Sequence, residues 1–438
     1  MVNDLLQRIH ARQTTVGIVG QGYVGLPLAL VFTEAGFRVI GFDSDPAKVA
    51  ALGRGESYIK HIGADRVAAA VQGGRFRATG DFDDLRTCDA VLICVPTPLG
   101  RHREPDLSYV VNSTREVAAR LRPGQLVVLE STTYPGTTDE DVQPILEATG
   151  LATPKDFLLA VSPEREDPGN PTFHTKIIPK VVGGVNQAST EAAVALYAAA
   201  VDRVVPVSSA RVAESTKLLE NIFRSVNIAL VNELKMTFDR MGIDVWEVIE
   251  AAKTKPFGFT PFYPGPGLGG HCIPLDPFYL SWKAAEYGMW TRFIELAGEV
   301  NTHMPHYVVE RTVAALNEDG RAIKGARVLV LGLSYKEDID DDRESPSYEI
   351  IELLRERGAQ VDYCDPFFPV ARPGRRHDVQ LRSIDCDAGA FAGYDAVVLS
   401  TGHSQFRDPA LYAQTRLVVD TRNAVRLPEG ATGRVVKA

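Results

Sequence analysis

Short unbroken apolar runs alternate with segments of helical period along the chain, and the alternation stops and then restarts. Residues 14–19 (TTVGIV), 38–42 (RVIGF), 90–95 (AVLICV), 125–129 (QLVVL) and 157–161 (FLLAV) are short apolar runs with no polar alternate. Strands of this kind are buried on both faces, as in a parallel sheet covered by helices. Residues 208–241 then keep the helical period with no internal glycine or proline, between Ser208-Ser209 as N-cap candidates and Gly242 as a stop. Such a helix spans about 50 Å. A second helical stretch covers 277–317, broken near Gly288. From Gly325 the strand–helix alternation returns, with strands at 326–331, 360–363, 396–399 and 417–419 and a helix at 346–357. The pattern predicts an α/β chain of three parts: a doubly wound parallel-sheet domain at 1–206, a helical core with a long spine helix at 207–321, and a second doubly wound domain at 322–438.

The first strand ends in Gly20-Gln21-Gly22-Tyr23-Val24-Gly25, followed by an apolar helix closed by Gly36 and a strand ending at Asp43. GxGxxG alone is weak. Between strand and helix, with an acid 23 residues after Gly20, it marks a Rossmann-like dinucleotide site. The glycines allow a tight turn and close approach of a pyrophosphate to the helix N-terminus. Asp43 would accept from ribose hydroxyls and repel a 2′-phosphate, which favours NAD over NADP. Ligands of parallel sheets bind beyond the carboxyl ends of strands, which places Thr97, Thr132 and Glu164 on the cofactor side.

Residues 256–277 (PFGFTPFYPGPGLGGHCIPLDP) hold six prolines and five glycines, so the stretch reads as a loop, neither helix nor strand. Cys272 lies within it, and Asp276 follows four residues later. A rigid loop presenting one thiol reads as a nucleophile site, against the commoner fate of a free cysteine packed as a small hydrophobe. On the long helix, Lys217, Asn221 and Arg224 share a face and read as a ligand-facing stripe, the alternative being a solvated face. The first strand of the last domain leads to Lys336, an acidic run at 337–342 and Arg343, cations placed to meet a phosphate. His303 and His306, with no carboxylate cluster nearby in sequence, are not read as a metal site.

Composition narrows the classes. The net charge of −9 argues against a nucleic-acid partner, since no basic field is available to displace counterions. Cysteines stand at 88, 94, 272, 364 and 386, an odd number without a CxxC pair, and neither a disulfide nor a zinc ribbon is expected. The first residues carry no signal-peptide apolar region and are expected to run straight into a strand. No apolar run reaches the length of a membrane span, so a cytoplasmic location is expected. Residues 208–241 and 289–317 carry more apolar surface than one short bundle buries, which points to a homodimer through the helical core.

The segments GIVGQGYVGLPLA, VPTP, ESTTYPGTT, SPERE, ESTKLLENIFRSVNIALVNEL, GPGLGGHCIPLDP and GLSYKEDIDDDRESP together resemble the UDP-sugar and GDP-sugar 6-dehydrogenases over essentially the whole chain. PFYPGPGLGGHCIPLDPFYLSWKA looks most like the UDP-N-acetylglucosamine branch. In the UDP-glucose branch a lysine usually precedes the aspartate, where this chain has Leu275. The resemblance implies NAD-dependent four-electron oxidation of a C6 hydroxyl to a carboxylate through a thiohemiacetal and a thioester on Cys272. Lys217 and Asn221 are implied as oxyanion donors, Asp276 as a base working through water with Thr132, and Glu164 as activator of the hydrolytic water. Gly20, Gly22, Tyr23, Val24, Gly25, Asp43, Lys48, Thr97, Thr132 and Arg343 are implied to hold NAD. Glu164, Arg165, Lys217, Asn221, Arg224, Lys336 and the loop at Tyr263, Gly267 and Gly269 are implied to hold the nucleotide-sugar. The UDP-glucose branch places a second glutamate where this chain has Pro168, and Glu166 or Asp167 is the candidate replacement. UDP-N-acetylmannosamine, UDP-N-acetylgalactosamine and UDP-glucose remain open as substrates. A two-electron hydroxy-acid dehydrogenase and a non-enzymatic NAD sensor compete with this reading, but neither requires Cys272 with Lys217, Asn221 and Asp276.

Overall fold

The computed structural model describes residues 2–59, 62–100, 104–166, 172–270, 272–374 and 377–438, with Cys272 described by its backbone. His271, Asp167 and Pro168 lie outside the described residues. The chain forms two compact units: residues 1–220 with 278–290, and residues 221–277 with 291–438.

The first unit holds an eight-stranded sheet. Its strands are β1 (Thr15–Val19), β2 (Arg38–Phe42), β3 (Phe76–Thr79), β4 (Ala90–Ile93), β5 (Leu126–Leu129), β6 (Leu158–Val161), β7 (Lys180–Gly184) and β8 (Val204–Pro206). The order is β3-β2-β1-β4-β5-β6-β7-β8, and every pair is parallel except β6–β7. The sequence reading missed β3, β7 and β8. β3 and β8 are short and only partly covered, so their apolar signal is thin, while β7 is fully buried but reads KVVGG, with a lysine and two glycines around two valines. Along β4, Ala90 and Leu92 join the core on one face of the sheet while Val91 and Ile93 join the core on the other. That two-sided burial is why the strands read as continuous apolar runs.

The second unit holds a five-stranded, all-parallel sheet in the order β10-β9-β11-β12-β13. Its strands are β9 (Arg327–Leu331), β10 (Gln360–Cys364), β11 (Ala396–Leu399), β12 (Leu417–Asp420) and β13 (Arg434–Lys437). The first four match the sequence reading, and β13 went unseen. The predicted spine is the helix Ala210–Met241, and it crosses the boundary between the units. Ser209 caps it, its hydroxyl accepting from the Val212 N–H at 3.3 Å, and Gly242 ends it at φ +71°.

Three expectations are corrected. The N-terminus does not run straight into a strand: Val2–His10 is a helix, because Leu5 and Ile9 at i, i+4 are fully buried. The proline-rich stretch is not wholly a loop, since a helix Cys272–Glu286 begins at Cys272. Pro274 falls in its first turn, where an N–H has no intrahelical partner, and only Pro277 costs a bond. Cys364 and Cys386, expected free, form a disulfide between the end of β10 and a later loop, two positions that the parallel fold places side by side.

Candidate active site

In the first unit the turn after β1 meets the end of β4, at the point where strand order reverses. Gly20 has φ +92°, and a Cβ there would lie 2.5 Å from the Cys94 carbonyl oxygen. A Cβ on Gly25 would lie 1.8 Å from the Gly20 carbonyl oxygen, whereas one on Gly22 would meet nothing within 4 Å. Two of the glycines therefore let backbone pack, and the middle one leaves open the space a pyrophosphate would occupy. Tyr23 and Val24 are half-buried and lead into the helix Gly25–Glu34. Asp43 ends β2, nearly buried, and accepts from the Gln21 N–H (2.9 Å), the Asp45 N–H (2.9 Å) and Lys48 Nζ (3.3 Å). These residues fit NAD: a cradle without a Cβ, a helix N-terminus, and a carboxylate oriented from behind. Thr97 and Thr132, beyond β4 and β5, meet directly, the Thr97 hydroxyl donating to the Thr132 carbonyl at 2.8 Å. The Tyr279 hydroxyl also donates to the Thr97 carbonyl.

Beyond β6 the loop carries Glu164, Arg165 and Glu166. Glu164 is no solvated loop carboxylate: its side chain is 13% exposed. Its Oε1 accepts from the N–H groups of Arg165 (2.7 Å) and Glu166 (2.5 Å), and its Oε2 lies 3.6 Å from Lys180 Nζ. Burial alone would raise its pKa, but Lys180, Lys217 and those N–H groups hold it below the usual range. Burial and the Glu164 charge push the neighbouring Glu166 the other way, up to about 7. Arg165 pairs with Glu220 at 2.6 Å.

In the second unit Asn221 is buried and donates from Nδ2 to Asp276 Oδ2 at 2.6 Å. Asp276 sits in the second turn of the helix that Cys272 opens. Lys217, also buried, stands one turn before Asn221 on the long helix. Arg224, the third residue of the predicted stripe, is exposed. The buried polar line runs instead through Glu214, Lys217, Asn221, Ser225, Asn232 and Lys235. Gly267 and Gly269 are half-buried, and the Gly270 N–H donates to the Arg343 carbonyl at 2.8 Å, joining the glycine loop to the loop after β9. The Arg343 guanidinium chelates Asp341 (2.5–3.0 Å). Lys336 is half-buried. The Tyr263 hydroxyl donates to Glu250 (2.6 Å), and its ring stacks on Trp246 at 5.7 Å. His303 and His306 stack on each other with Glu349 3.6 Å from His306, and among the described residues no group of three or more ligating side chains could hold a metal.

Three family models match this chain in succession. The NAD binding domain of the UDP-glucose/GDP-mannose dehydrogenase family matches residues 14–201, its central domain 211–303 and its UDP binding domain 329–427. The chain belongs to the UDP-glucose/GDP-mannose dehydrogenase family. It is 37% identical over 395 residues to a UDP-N-acetyl-D-glucosamine 6-dehydrogenase of Pseudomonas aeruginosa, covering 90% of this chain and 91% of that one. It is 38% identical over 419 residues to an NDP-N-acetyl-D-galactosaminuronic acid dehydrogenase of Ralstonia nicotianae, covering 93% and 95%. Among solved structures, the UDP-D-ManNAc dehydrogenase of Pyrococcus horikoshii superposes with a TM-score of 0.86 at 32% identity, covering 96% and 99%. As a member of this family the chain is an oxidoreductase, an NAD-dependent UDP-sugar dehydrogenase with an NAD binding domain and a UDP binding domain. Among the described residues no helix is long and apolar enough to cross a membrane.

Three residues around the dehydrogenase site escaped the sequence reading. Glu214 accepts from the N–H groups of Gly136 (2.7 Å) and Thr138 (2.9 Å), tying the long helix to the loop after Thr132. Lys180 and Glu130 form a buried pair at 2.5 Å. The visible signal was a single lysine at the head of an apolar run, KVVGG.

Proposed function

We propose that the chain oxidises the C6 hydroxyl of a UDP-N-acetylhexosamine, in the first place UDP-N-acetylglucosamine, to the uronic acid. The observation that carries this reading is the buried Asn221–Asp276 bond (2.6 Å). It fixes the long helix, one turn after Lys217, to the helix that Cys272 opens. Two NAD molecules, bound in turn, would each accept one hydride. Asp276 takes the C6 hydroxyl proton through water, and Lys217 and Asn221 hold the oxygen as it becomes anionic. The Cys272 thiolate adds to the aldehyde carbon, and a helix start favours that anion. Loss of the second hydride leaves a thioester. Water activated by Glu164 cleaves it, releasing the acid and the Cys272 thiolate. Thr97, Thr132, Lys48, Asp43 and Arg343 act on the cofactor, and Arg165, Arg224, Lys336 and the loop at 263–269 on the nucleotide-sugar.

The same reading includes three domains bounded near 206 and 321, a cytoplasmic enzyme and a homodimer through the helical core. In support of the dimer, Leu219, Phe223 and Leu230 follow one side of the long helix and are 66%, 50% and 53% exposed. Mass in solution at micromolar concentration tests it, and a monomer would overturn it. The reaction is tested by NADH release across UDP-N-acetylglucosamine, UDP-N-acetylmannosamine, UDP-N-acetylgalactosamine and UDP-glucose. Two NADH per sugar are expected, with the highest kcat/KM on the first. One NADH per sugar would end the four-electron mechanism, and a higher kcat/KM on another sugar would move the assignment to it.

A further inference from the structure

The buried charges behind Glu164 are more elaborate than an ordinary loop needs. β6 and β7 form the one antiparallel pair of their sheet, with Val161 opposite Gly183. Continuing that register three residues places position 180 opposite position 164. Lys180 is 3% exposed and Glu130 fully buried, and they meet at 2.5 Å. Glu130 also accepts from the Tyr197 hydroxyl, and Lys180 donates to the Ser162 carbonyl at 3.4 Å. Glu130 is thus fixed from two sides, and the ammonium it holds stands 3.6 Å from Glu164 Oε2. That oxygen is buried without a hydrogen-bond partner among the described residues, while Oε1 is saturated by two backbone N–H groups. A carboxylate with one oxygen tied down and the other held by charge alone is arranged to receive a small donor such as water.

We propose that Lys180, clamped from behind by Glu130, is the positioning residue for Glu164, and that thioester hydrolysis rather than hydride transfer is the step that depends on it. The proposal rests on the assignment of Glu164 above. In that step water adds to the carbonyl carbon of the Cys272 thioester, and its proton passes to Glu164. The C–S bond breaks, Cys272 leaves as thiolate, and no electrons are exchanged with the cofactor. Glu164 must be ionised when the water arrives. The charged and titratable groups around it are Lys180 from β7, Lys217 from the long helix, Glu130 from the end of β5, Cys94 from the end of β4, and Arg165 and Glu166 from its own loop. Three of these are carboxyl or thiol groups that disfavour a further negative charge. Lys217 is assigned to the oxyanion, which leaves Lys180 as the cation dedicated to Glu164.

The test uses the full-length enzyme with NAD and UDP-N-acetylglucosamine, comparing Lys180→Met, Lys180→Arg and Glu164→Gln. For Lys180→Met the pre-steady-state burst of two NADH per site should persist, while steady turnover falls at least about tenfold. A covalent adduct should then appear in the intact mass. The acid limb of the kcat–pH profile should move up by roughly one to three units, because an opposite charge has been removed from beside the carboxylate. Lys180→Arg should restore most of both. A folded Lys180→Met protein with unchanged turnover and unchanged acid limb would overturn the proposal. If that variant does not fold, Glu130→Gln keeps the lysine but loosens it, and a smaller shift in the same direction is expected. An unmoved profile there would equally overturn it. If Glu164→Gln slows hydrolysis but Lys180→Met does not, only this inference fails. If Glu164→Gln turns over normally, the assignment of Glu164 itself fails.

Discussion

The two sheets share a local plan, and the plan does different work in each. In both, a first strand ends in a glycine turn, a helix follows, and the second strand ends in an aspartate. Asp43 accepts from one N–H of that turn and is backed by Lys48, with open space above Gly22. Asp365, at the same place in the second sheet, has no exposed side chain. It accepts from the N–H groups of Leu333 (2.5 Å), Ser334 (3.0 Å), Phe367 (2.7 Å) and Phe368 (3.1 Å), and His403 Nε2 lies 3.2 Å away. Gly332 (φ +88°) stands where Gly20 does, and a Cβ there would lie 2.4 Å from Thr401, so the tight turn itself is the same in both sheets. The first aspartate keeps capacity for a ligand, and the second has spent its capacity on the fold. A strand–glycine–helix–strand–acid pattern therefore marks a backbone geometry; whether it marks a dinucleotide site depends on what already saturates the acid.

The largest expected effect lies in neither sheet. Cys272→Ala should reduce acid formation by at least about a thousandfold, as loss of a nucleophile does. NAD binding, measured by calorimetry, should stay intact. Full activity in that variant would end the covalent mechanism. Lys217→Ala should cost on the order of a hundredfold in kcat, read by steady-state NADH formation. The sheets themselves are separated by the next two substitutions. Asp365→Ala strands four buried N–H groups and should destabilise the protein by roughly 3 kcal/mol or more, read by denaturant unfolding. Asp43→Ala strands one buried N–H, that of Gln21, so it should cost less, about 1–2 kcal/mol, and narrow the preference for NAD over NADP by about tenfold or more. Equal stability losses in the two variants would erase the contrast drawn here.

The smallest effect is a pH slope. Burial alone would raise the Asp365 pKa, but His403 and the N–H groups of Leu333 and Phe367 hold it below the usual range. A depressed folded value stabilises the protein above the unfolded pKa of about 3.9. That stabilisation is lost as the pH falls through the lower, folded value. Unfolding free energy should therefore decline with acidification below about pH 4, and Asp365→Asn should flatten that slope. An identical slope in both proteins would show that other carboxylates govern it.

Much of the molecule was legible as text. β1, β2, β4, β5, β6, β9, β11 and β12 are apolar runs because their two faces enter two cores, the edge strand β10 alternates instead, and the long helix announces itself by unbroken period and a serine cap. Short, partly covered strands such as β3 and β8 were not legible, since half-exposed residues carry no periodic signal. Within the site, the glycine turn and Asp43 were readable because they are local in sequence. That Lys217 and Asn221 are buried while Arg224 is exposed was not readable, because a helical wheel shows which residues share a side but not how far a neighbour covers it.

The chain's own order of residues thus determined the α/β class, the restart after the helical stretch, the dinucleotide turn and the presence of one thiol between glycines and prolines. Each of these rests on contacts within a few residues or on strict periodicity, which survive in a one-dimensional string. Only the tertiary structure decided that Asp365 is saturated, that Lys180 faces Glu164 across an antiparallel pair, and that Cys364 meets Cys386. Those pairings join positions 16 to 32 residues apart through strand register and crossovers. Burial then sets their energetics, because a charge or hydrogen bond counts for little until the fold removes the water that would replace it.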